Sequence, residues 1–189
     1  QVFGVPLKQV DSHMRRAAKA VNFGIIYGIS DFGLASNLNI SPKQAKEYIR
    51  AYFERYSEVK KYMDDNVAFA REHGYVTTLL GRKRVINEIR SSNYNIRSFG
   101  ERAAMNMPLQ GSSADIIKIA MVNIDRRLKR EGFRSNLILQ VHDELVIDAF
   151  ESEKEAVSSL LREEMENAVQ LKVPLVAEVH CGKNWYEAK

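Results

Sequence analysis

The sequence predicts an α+β protein, with a helical first half followed by a small antiparallel sheet against which helices pack. In the first half, serines that can cap helices precede stretches of helical periodicity. In the last third, two apolar runs flank the pair His142-Asp143, and the order reads strand, strand, helix, strand. The chain has 189 residues, of which 45% are hydrophobic and 28% charged, so it can form a hydrophobic core.

The first half is predicted to hold four helices and one hairpin. The helices cover residues 12–27, 30–38, 41–55 and 57–74, and they begin at Ser12, Ser30, Ser41 and Ser57. Pro42 follows Ser41 in the first turn and strengthens that start signal. Residues 75–80 are rich in β-branched and aromatic side chains, and Gly81 turns the chain into residues 82–86, so we expect a short hairpin.

The second half is predicted to begin with two helices. The first runs from Ser92 to near Pro108, which should interrupt it because proline lacks the backbone donor that a helix needs. The second covers residues 112–131 and ends at Gly132. The remaining predicted elements are strands at 136–141 and 144–149, a helix at 152–171 and a final strand at 175–180.

Composition excludes several classes of protein. No apolar run approaches the ~20 residues that span a bilayer. We expect no signal peptide, because residues 1–10 lack a basic start followed by an apolar stretch. Cys181 is the only cysteine, so an internal disulfide is excluded and a cytoplasmic setting fits. The net charge of +4 is mild, but the basic residues cluster at 15–19, 82–84 and 126–130. Such clusters suit a polyanion, although a solvated face is the preferred interpretation of residues 126–130.

A stripe of two cations and two aromatic rings follows one side of the first predicted helix. Arg15, Lys19, Phe23 and Tyr27 recur every four residues, which places them along one helix face. Burying unpaired cations is costly, so this is not a core stripe, and a solvated face would not end in two rings. The combination suits a nucleoside triphosphate, although the spacing alone fits an ordinary amphipathic helix equally well.

Residues 14–28 carry the pattern Arg-x-x-x-Lys-x-x-x-Phe-Gly-x-x-Tyr-Gly, which resembles the second signature motif of family A DNA polymerases. The resemblance implies that Arg15 and Lys19 hold the triphosphate of an incoming deoxynucleotide and act in catalysis. It implies that Phe23 stacks on the sugar and that Tyr27 lies where the templating base enters. It also implies that the helix closes on a correct nucleotide.

The pair His142-Asp143 joins two runs predicted to form a hairpin over residues 137–148. Two-residue hairpin turns favour Asn-Gly, so His-Asp was not selected for ease of turning alone, although aspartate is also common in turns. Residues 140–146 resemble the third motif of the same family. The resemblance implies that Asp143 is the catalytic ligand of Mg²⁺, with two ions in the complete enzyme, and that Glu144 is a supporting carboxylate. It places His142 near the primer terminus and Gln140 on the primer side.

Two further stretches resemble DNA-contacting parts of the family. Residues 101–115 resemble the segment that lines the minor groove of the duplex, and Arg102, Asn106 and Gln110 step through it by four. Amide and guanidinium groups can reach the acceptors that every correct base pair presents there. The basic sequence after Gly81 resembles a fingers region near the template strand, so Arg82 is expected to contact DNA.

The resemblance extends over residues 2–189, but the family's first motif, which supplies the other metal-binding aspartate, is absent from this sequence. The chain also does not begin with Met, so we expect it to be part of a longer enzyme and to be inactive alone. The resemblance implies an incomplete polymerase right hand, with fingers at residues 1–96 and the C-terminal part of the palm at 97–189. Half of the palm sheet would be missing, which leaves an edge liable to mispairing.

The parent enzyme is expected to act on primer-template DNA and deoxynucleoside triphosphates in DNA replication and repair, as a monomer at the nucleoid and without a membrane. Two alternatives remain open. One is a single-subunit RNA polymerase, although Glu144 favours the DNA enzyme because phage-type RNA polymerases tend to have serine there. The other is a DNA-binding module without catalytic activity.

Overall fold

The computed structural model describes residues 5–188, so the family resemblance at residues 2–4 and 189 lies outside the described part. The predicted α+β class is confirmed. The described elements are α1 (Ser12–Ile26), α2 (Asp31–Leu38), α3 (Pro42–Arg55), α4 (Ser57–His73), β1 (Tyr75–Thr77), β2 (Lys83–Val85), α5 (Tyr94–Arg130), β3 (Asn136–Val141), β4 (Glu144–Asp148) and α6 (Lys154–Glu166).

The chain divides into two compact units, Gln1–Leu109 and Gln110–Lys189. The division falls inside α5, so each unit contains part of that helix. The expected limit between fingers and palm, after residue 96, is a functional division and stays a prediction.

One core of the first unit joins α1, α2 and α3. Its fully buried side chains include Val21 and Ile25 of α1 and Leu34 of α2. The predicted caps of α2 and α3 are confirmed, because Ser30 accepts a hydrogen bond from Gly33 and Ser41 forms a capping box with Gln44.

The predicted cap of α1 is wrong by one residue. Asp11, not Ser12, is the N-cap, and its carboxylate accepts a 2.7 Å hydrogen bond from the backbone N–H of Met14. A carboxylate also interacts favourably with the positive end of the helix dipole, so Asp11 is the better cap.

The second core of the first unit joins α4, β1 and the start of α5. Val76 of β1 is fully buried there, together with Ile86, Ile89 and Ala104. The predicted hairpin is confirmed: β1 pairs antiparallel with β2, Tyr75 opposite Val85. Gly100 allows α5 to lie against this core, because a Cβ there would approach the backbone nitrogen of Ile89 at 2.8 Å.

The predicted break at Pro108 is wrong, because α5 continues from Tyr94 to Arg130 with Pro108 inside it. Proline inside a helix costs about 3 kcal/mol. Tertiary packing opposes that cost, since Ala104 and Met107 lie in the core of the first unit and Ile124 in the core of the second. A proline pattern read along the sequence does not reveal this packing.

In the second unit, the β3–β4 hairpin and α6 pack with the second half of α5. Ile124 and Leu128 of α5 and Val157 and Leu160 of α6 form the core, with Leu145 of β4 packed against it. The two strands pair antiparallel, as predicted, and Val141 lies opposite Glu144. A register irregularity lies between Leu137 and Leu139.

The sequence predicted a solvated face for the basic residues 126–130, and the structure shows that one of them is not fully solvated. The side chain of Arg127 is only 23% exposed. It forms ion pairs with Glu131, which directly follows α5, and with Glu163 and Glu164 of α6. Arg126 is exposed, as expected for a solvated position.

Two predictions near the C-terminus are wrong. The helix predicted at residues 152–171 is shorter, because a 3-10 turn at Glu151–Glu153 precedes α6 and the helix ends at Glu166. Residues 175–180 alternate in burial as a strand does, but they pair with no strand in the described part of the chain. The backbone N–H of Ala177 instead donates to the carboxylate of Glu166.

Candidate active site

Helix α1, together with its C-cap residue Tyr27, presents a row of cations and rings to solvent. Arg15 and Lys19 are exposed, and their side chains form no ion pair with any residue between 5 and 188. Phe23 is 57% exposed and Tyr27 is 48% exposed, although apolar rings of this size are usually buried. The opposite side of the helix holds the buried core residues, so α1 has one packed face and one open face.

The C-terminal end of α1 turns sharply at Gly28, beside Arg102. Gly28 has φ +73°, a conformation that favours glycine. A Cβ at Gly28 would approach Cγ of Arg102 at 3.0 Å. The end of the cation-aromatic row and the expected minor-groove arginine therefore lie together within the first unit.

Two of the expected minor-groove residues are engaged along α5. Arg102 is half-buried, and its Nη1 donates a 2.8 Å hydrogen bond to Oγ of Ser98. Asn106 Nδ2 donates a 2.9 Å hydrogen bond to the carbonyl oxygen of Arg102. These bonds fix both side chains on one helix. Gln110 is exposed and belongs to the second unit.

The β1–β2 hairpin carries the basic sequence that was expected near template. Arg82, Lys83 and Arg84 are all exposed. Lys83 Nζ lies 4.5 Å from the ring centroid of Tyr75, which is a cation–π contact. The loop is closed by a 2.9 Å hydrogen bond from the backbone N–H of Thr78 to the carbonyl oxygen of Arg82.

The tip of the β3–β4 hairpin exposes a carboxylate on a strained turn. His142 has φ +54°, which costs about 1–2 kcal/mol for a residue with a Cβ. Gln140 Nε2 donates a 2.7 Å hydrogen bond to the carbonyl oxygen of His142 and braces the turn. Asp143 is exposed and makes no hydrogen bond or ion pair within residues 5–188. Backbone strain of this kind persists only where the surrounding structure holds it, and it clusters at functional sites.

Glu144, the residue after Asp143, is held by the C-terminal segment. Nε1 of Trp185 donates a 3.3 Å hydrogen bond to Oε2 of Glu144. The two neighbouring carboxylates therefore differ: the Asp143 carboxylate is free and the Glu144 carboxylate is anchored.

The tip of the β3–β4 hairpin offers part of a metal site rather than a complete one. In the described part of the chain, no three His, Cys, Asp or Glu side chains form a group that could hold a metal ion. A free carboxylate such as Asp143 is the hard oxygen ligand that Mg²⁺ favours. Asp143 and Glu144 can contribute to a metal site only if other ligands complete it.

One polar cluster around the buried Ser135, at the open end of the hairpin, was not predicted from the sequence. Ser135 is 1% exposed, and its hydroxyl donates a 2.6 Å hydrogen bond to Glu153 and accepts one from the backbone N–H of Phe150. Glu153 also accepts from the backbone N–H groups of Arg134 and Ser135. The Ser135 hydroxyl is the main reason that the pKa of Glu153 lies below its usual value. Nothing in the local pattern links two residues 18 positions apart.

Comparison with known proteins decides the family. The model of DNA polymerase family A matches residues 1–187. The chain belongs to DNA polymerase family A.

Curated members of DNA polymerase family A match the whole chain. It is 56% identical over 189 residues to DNA polymerase I of Caldicellulosiruptor bescii and 54% identical over 188 residues to that of Geobacillus stearothermophilus. Each match covers 100% of this chain and 22% of the relative. The chain therefore spans about a fifth of the length of these curated polymerases.

A solved family structure has the same fold. The POL domain of Pol1 from M. smegmatis, in complex with DNA primer-template and dNTP, superposes with a TM-score of 0.94 at 46% sequence identity. The match covers 99% of this chain and 33% of that one. Between residues 5 and 188, no helix is both long and apolar enough to cross a membrane.

Proposed function

We propose that the protein forms the fingers and the C-terminal part of the palm of a DNA-directed DNA polymerase, a nucleotidyltransferase that adds deoxynucleotides to a primer 3′ end. The fingers comprise residues 1–96 and the palm part residues 97–189. The observation that carries the proposal is the exposed row of free cations and rings on α1. Side chains with no partner among residues 5–188 are available for a ligand. The two cations complement the negative charge of a triphosphate, and the two rings can pack against a sugar and a base.

Each part of the row has a distinct task. Arg15 and Lys19 bind the triphosphate and stabilise the negative charge that develops as the phosphoryl group is transferred. Phe23 packs against the sugar, and Tyr27 stacks near the templating base. The similarity to a polymerase domain solved with DNA primer-template and dNTP supports this assignment.

Asp143 is the metal-binding and catalytic carboxylate of the hairpin, and Glu144 supports it. When bound, two Mg²⁺ ions would activate the attacking hydroxyl and stabilise charge at the phosphorus centre. The exposed, unpartnered carboxylate of Asp143 at a braced tip fits one ligand position. The remaining carboxylate ligand must come from outside these 189 residues, so we expect that the chain alone does not extend a primer.

The DNA contacts follow from the exposed or half-buried polar groups at the two hairpins and on α5. We assign the minor groove to Arg102, Asn106 and Gln110, the primer side to Gln140 and His142, and the template strand to Arg82. The partners are primer-template DNA and deoxynucleoside triphosphates. The parent polymerase acts as a monomer in the cytoplasm, associated with the nucleoid, in replication and repair.

Nucleotide affinity in the complete polymerase tests this proposal. Lys19→Ala removes a free cation of α1, whereas Lys43→Ala removes an exposed cation of α3 and serves as the control. Loss of one charge-assisted phosphate contact, about 1.5–3 kcal/mol, should weaken dNTP binding by at least tenfold in Lys19→Ala only. Equal affinity in the two variants would remove α1 from the nucleotide site.

Primer extension separates a polymerase from a DNA-binding module without catalytic activity. A catalytic enzyme extends a labelled primer when dNTP and Mg²⁺ are supplied. If the protein is a DNA-binding module, the full-length parent protein binds primer-template DNA but does not extend the primer.

A further inference from the structure

The C-terminal residues form a self-closed turn. Asn184 Nδ2 donates to Glu187 Oε1 at 2.8 Å, and the backbone N–H of Glu187 donates to Asn184 Oδ1 at 3.0 Å. The other carboxylate oxygen of Glu187 accepts from the backbone N–H of Lys183. At Gly182, an added Cβ would approach the backbone nitrogen of Ala188 at 2.7 Å, so the turn closes tightly. Trp185 is part of this turn, whose hydrogen bonds hold its backbone in place.

The turn delivers one directed donor to the catalytic hairpin. The Trp185 Nε1–H reaches Oε2 of Glu144, 41 positions earlier in the chain. Glu144 is the first residue of β4 and follows Asp143 directly. An indole nitrogen can only donate a hydrogen bond and an ionised carboxylate can only accept one, so the two groups are complementary.

We propose that Trp185 is a positioning residue that anchors the Glu144 carboxylate, which keeps that carboxylate in one orientation beside the free Asp143. The proposal rests on the function proposed above for the hairpin. With the indole N–H present, one oxygen of Glu144 is fixed and the side chain cannot sample all its rotamers. Without it, Glu144 rotates freely next to the metal-binding carboxylate.

The first test is made with the complete polymerase. Trp185→Phe keeps an aromatic ring but removes the N–H, and Tyr186→Phe is the matched control because Tyr186 is 91% exposed. We expect kcat for primer extension to fall about fivefold to tenfold in Trp185→Phe, which corresponds to the net contribution of one typical exposed hydrogen bond. KM for dNTP and the rate of Tyr186→Phe should not change. A rise in KM with unchanged kcat would contradict a role at the catalytic carboxylates.

The coupling of the two residues is the second test. If Trp185 acts through Glu144, then Trp185→Phe should have no additional effect in a Glu144→Ala background. Multiplying effects in the double variant would show that Trp185 acts independently, and the proposal would be wrong.

The third test does not depend on activity. Trp185 is the one tryptophan of this chain. In the complete polymerase, its indole N–H signal is assigned as the one that disappears in Trp185→Phe. In ¹H–¹⁵N spectra, Glu144→Ala should shift that signal and speed its exchange with water, whereas Asp148→Ala, at the far end of β4, should not. An unmoved signal in Glu144→Ala overturns the proposal. A shifted signal in an enzyme that does not polymerise would instead overturn the proposed function alone.

Discussion

The amide of Gln140 donates a 2.7 Å hydrogen bond to the carbonyl oxygen of His142, across the strained turn that carries Asp143. At the other end of β3, Asn136 makes the same kind of bond, 2.9 Å long, to the carbonyl oxygen of Arg134. Both donors are exposed, and each bond spans two residues. Removing one or the other of these two hydrogen bonds therefore distinguishes an effect on the stability of the hairpin from an effect on the position of its tip.

Gln140→Ala should therefore reduce polymerase activity more than its effect on stability explains. Each of the variants Gln140→Ala and Asn136→Ala loses one exposed hydrogen bond, which contributes about 0.5–1.5 kcal/mol. Thermal unfolding should show similar losses, but primer extension in the complete polymerase should fall only in Gln140→Ala. Similar activity of the two variants would show that the brace does not matter for the reaction.

Asp143→Ala should abolish primer extension and leave primer-template affinity largely intact. The free carboxylate at the hairpin tip is the proposed metal ligand, and alanine offers no oxygen in its place. Asp148→Ala, which removes an exposed carboxylate at the far end of β4, is the control and should retain extension. Extension by Asp143→Ala at the rate of the control would refute the metal role.

Phe23→Tyr should relax discrimination against dideoxynucleotides. The added hydroxyl can replace the contact that the missing 3′ oxygen would have made, if the ring lies on the sugar. The ring is 57% exposed on α1, so a hydroxyl can be added without a steric clash in the core. Phe32→Tyr, on a ring that is 71% exposed on α2, is the control. The ratio of dideoxy to deoxy incorporation is the measurement, and an unchanged ratio in Phe23→Tyr would remove this residue from the sugar site.

Local signals predicted most of the fold, because the elements concerned are determined by nearby residues. Ser30 and Ser41 cap the helices that follow them, and the runs on either side of His142-Asp143 pair as expected. The open stripe of α1 also follows from four-residue spacing. His142 and Asp143 are exposed in the structure, but only family resemblance, not periodicity, gives them a chemical role.

The remaining features depend on distant partners. Pro108 stays inside a helix because buried residues on both sides pack well, and residues 175–180 are extended without a strand partner in the described range. Arg127 looked like its exposed neighbours until α6 brought two carboxylates to it. Trp185 and Glu144 are 41 positions apart. Such pairings are set by tertiary structure, which sequence spacing does not contain.

The stability of the second unit should depend on pH through Glu153. Hydrogen bonds from the Ser135 hydroxyl and the backbone N–H of Arg134 lower its pKa in the folded state. A carboxyl with a lowered folded pKa stabilises the fold above its unfolded value of about 4.3, and this stabilisation is lost as the pH falls through the folded pKa.

Glu153→Gln should therefore be less stable than the unchanged protein at pH 7, and the difference should shrink as the pH falls below about 4.3. Glu155→Gln, an exposed position on α6, is the control and should show no such pH-dependent difference. Thermal unfolding followed by circular dichroism between pH 7 and pH 3 is the measurement. A stability difference that is independent of pH would show that the charge of Glu153 does not matter.

Arg127→Ala should destabilise the contact between α5 and α6 far more than Arg126→Ala. Arg127 joins Glu131, Glu163 and Glu164 at distances of 2.7 to 3.1 Å. Its hydrogen bonds to these carboxylates, that to Glu163 first, raise the pKa of Arg127. The hydrogen bond between Arg127 and Glu131 in turn lowers the pKa of Glu131. Without the guanidinium, the two carboxylates of α6 lose their cation and Glu131 retains only its contact with Arg130, so the like charges repel.

Arg126 is exposed and serves as the matched arginine control because it lies one residue away. The melting temperature should fall in Arg127→Ala and stay near that of the unchanged protein in Arg126→Ala. Added salt screens the remaining repulsion between the carboxylates, so it should recover part of the loss. Lowering the pH should also recover part of it, because protonated carboxyls no longer repel. If neither salt nor acid narrows the gap between the two variants, lost packing of the arginine stem rather than charge explains the effect.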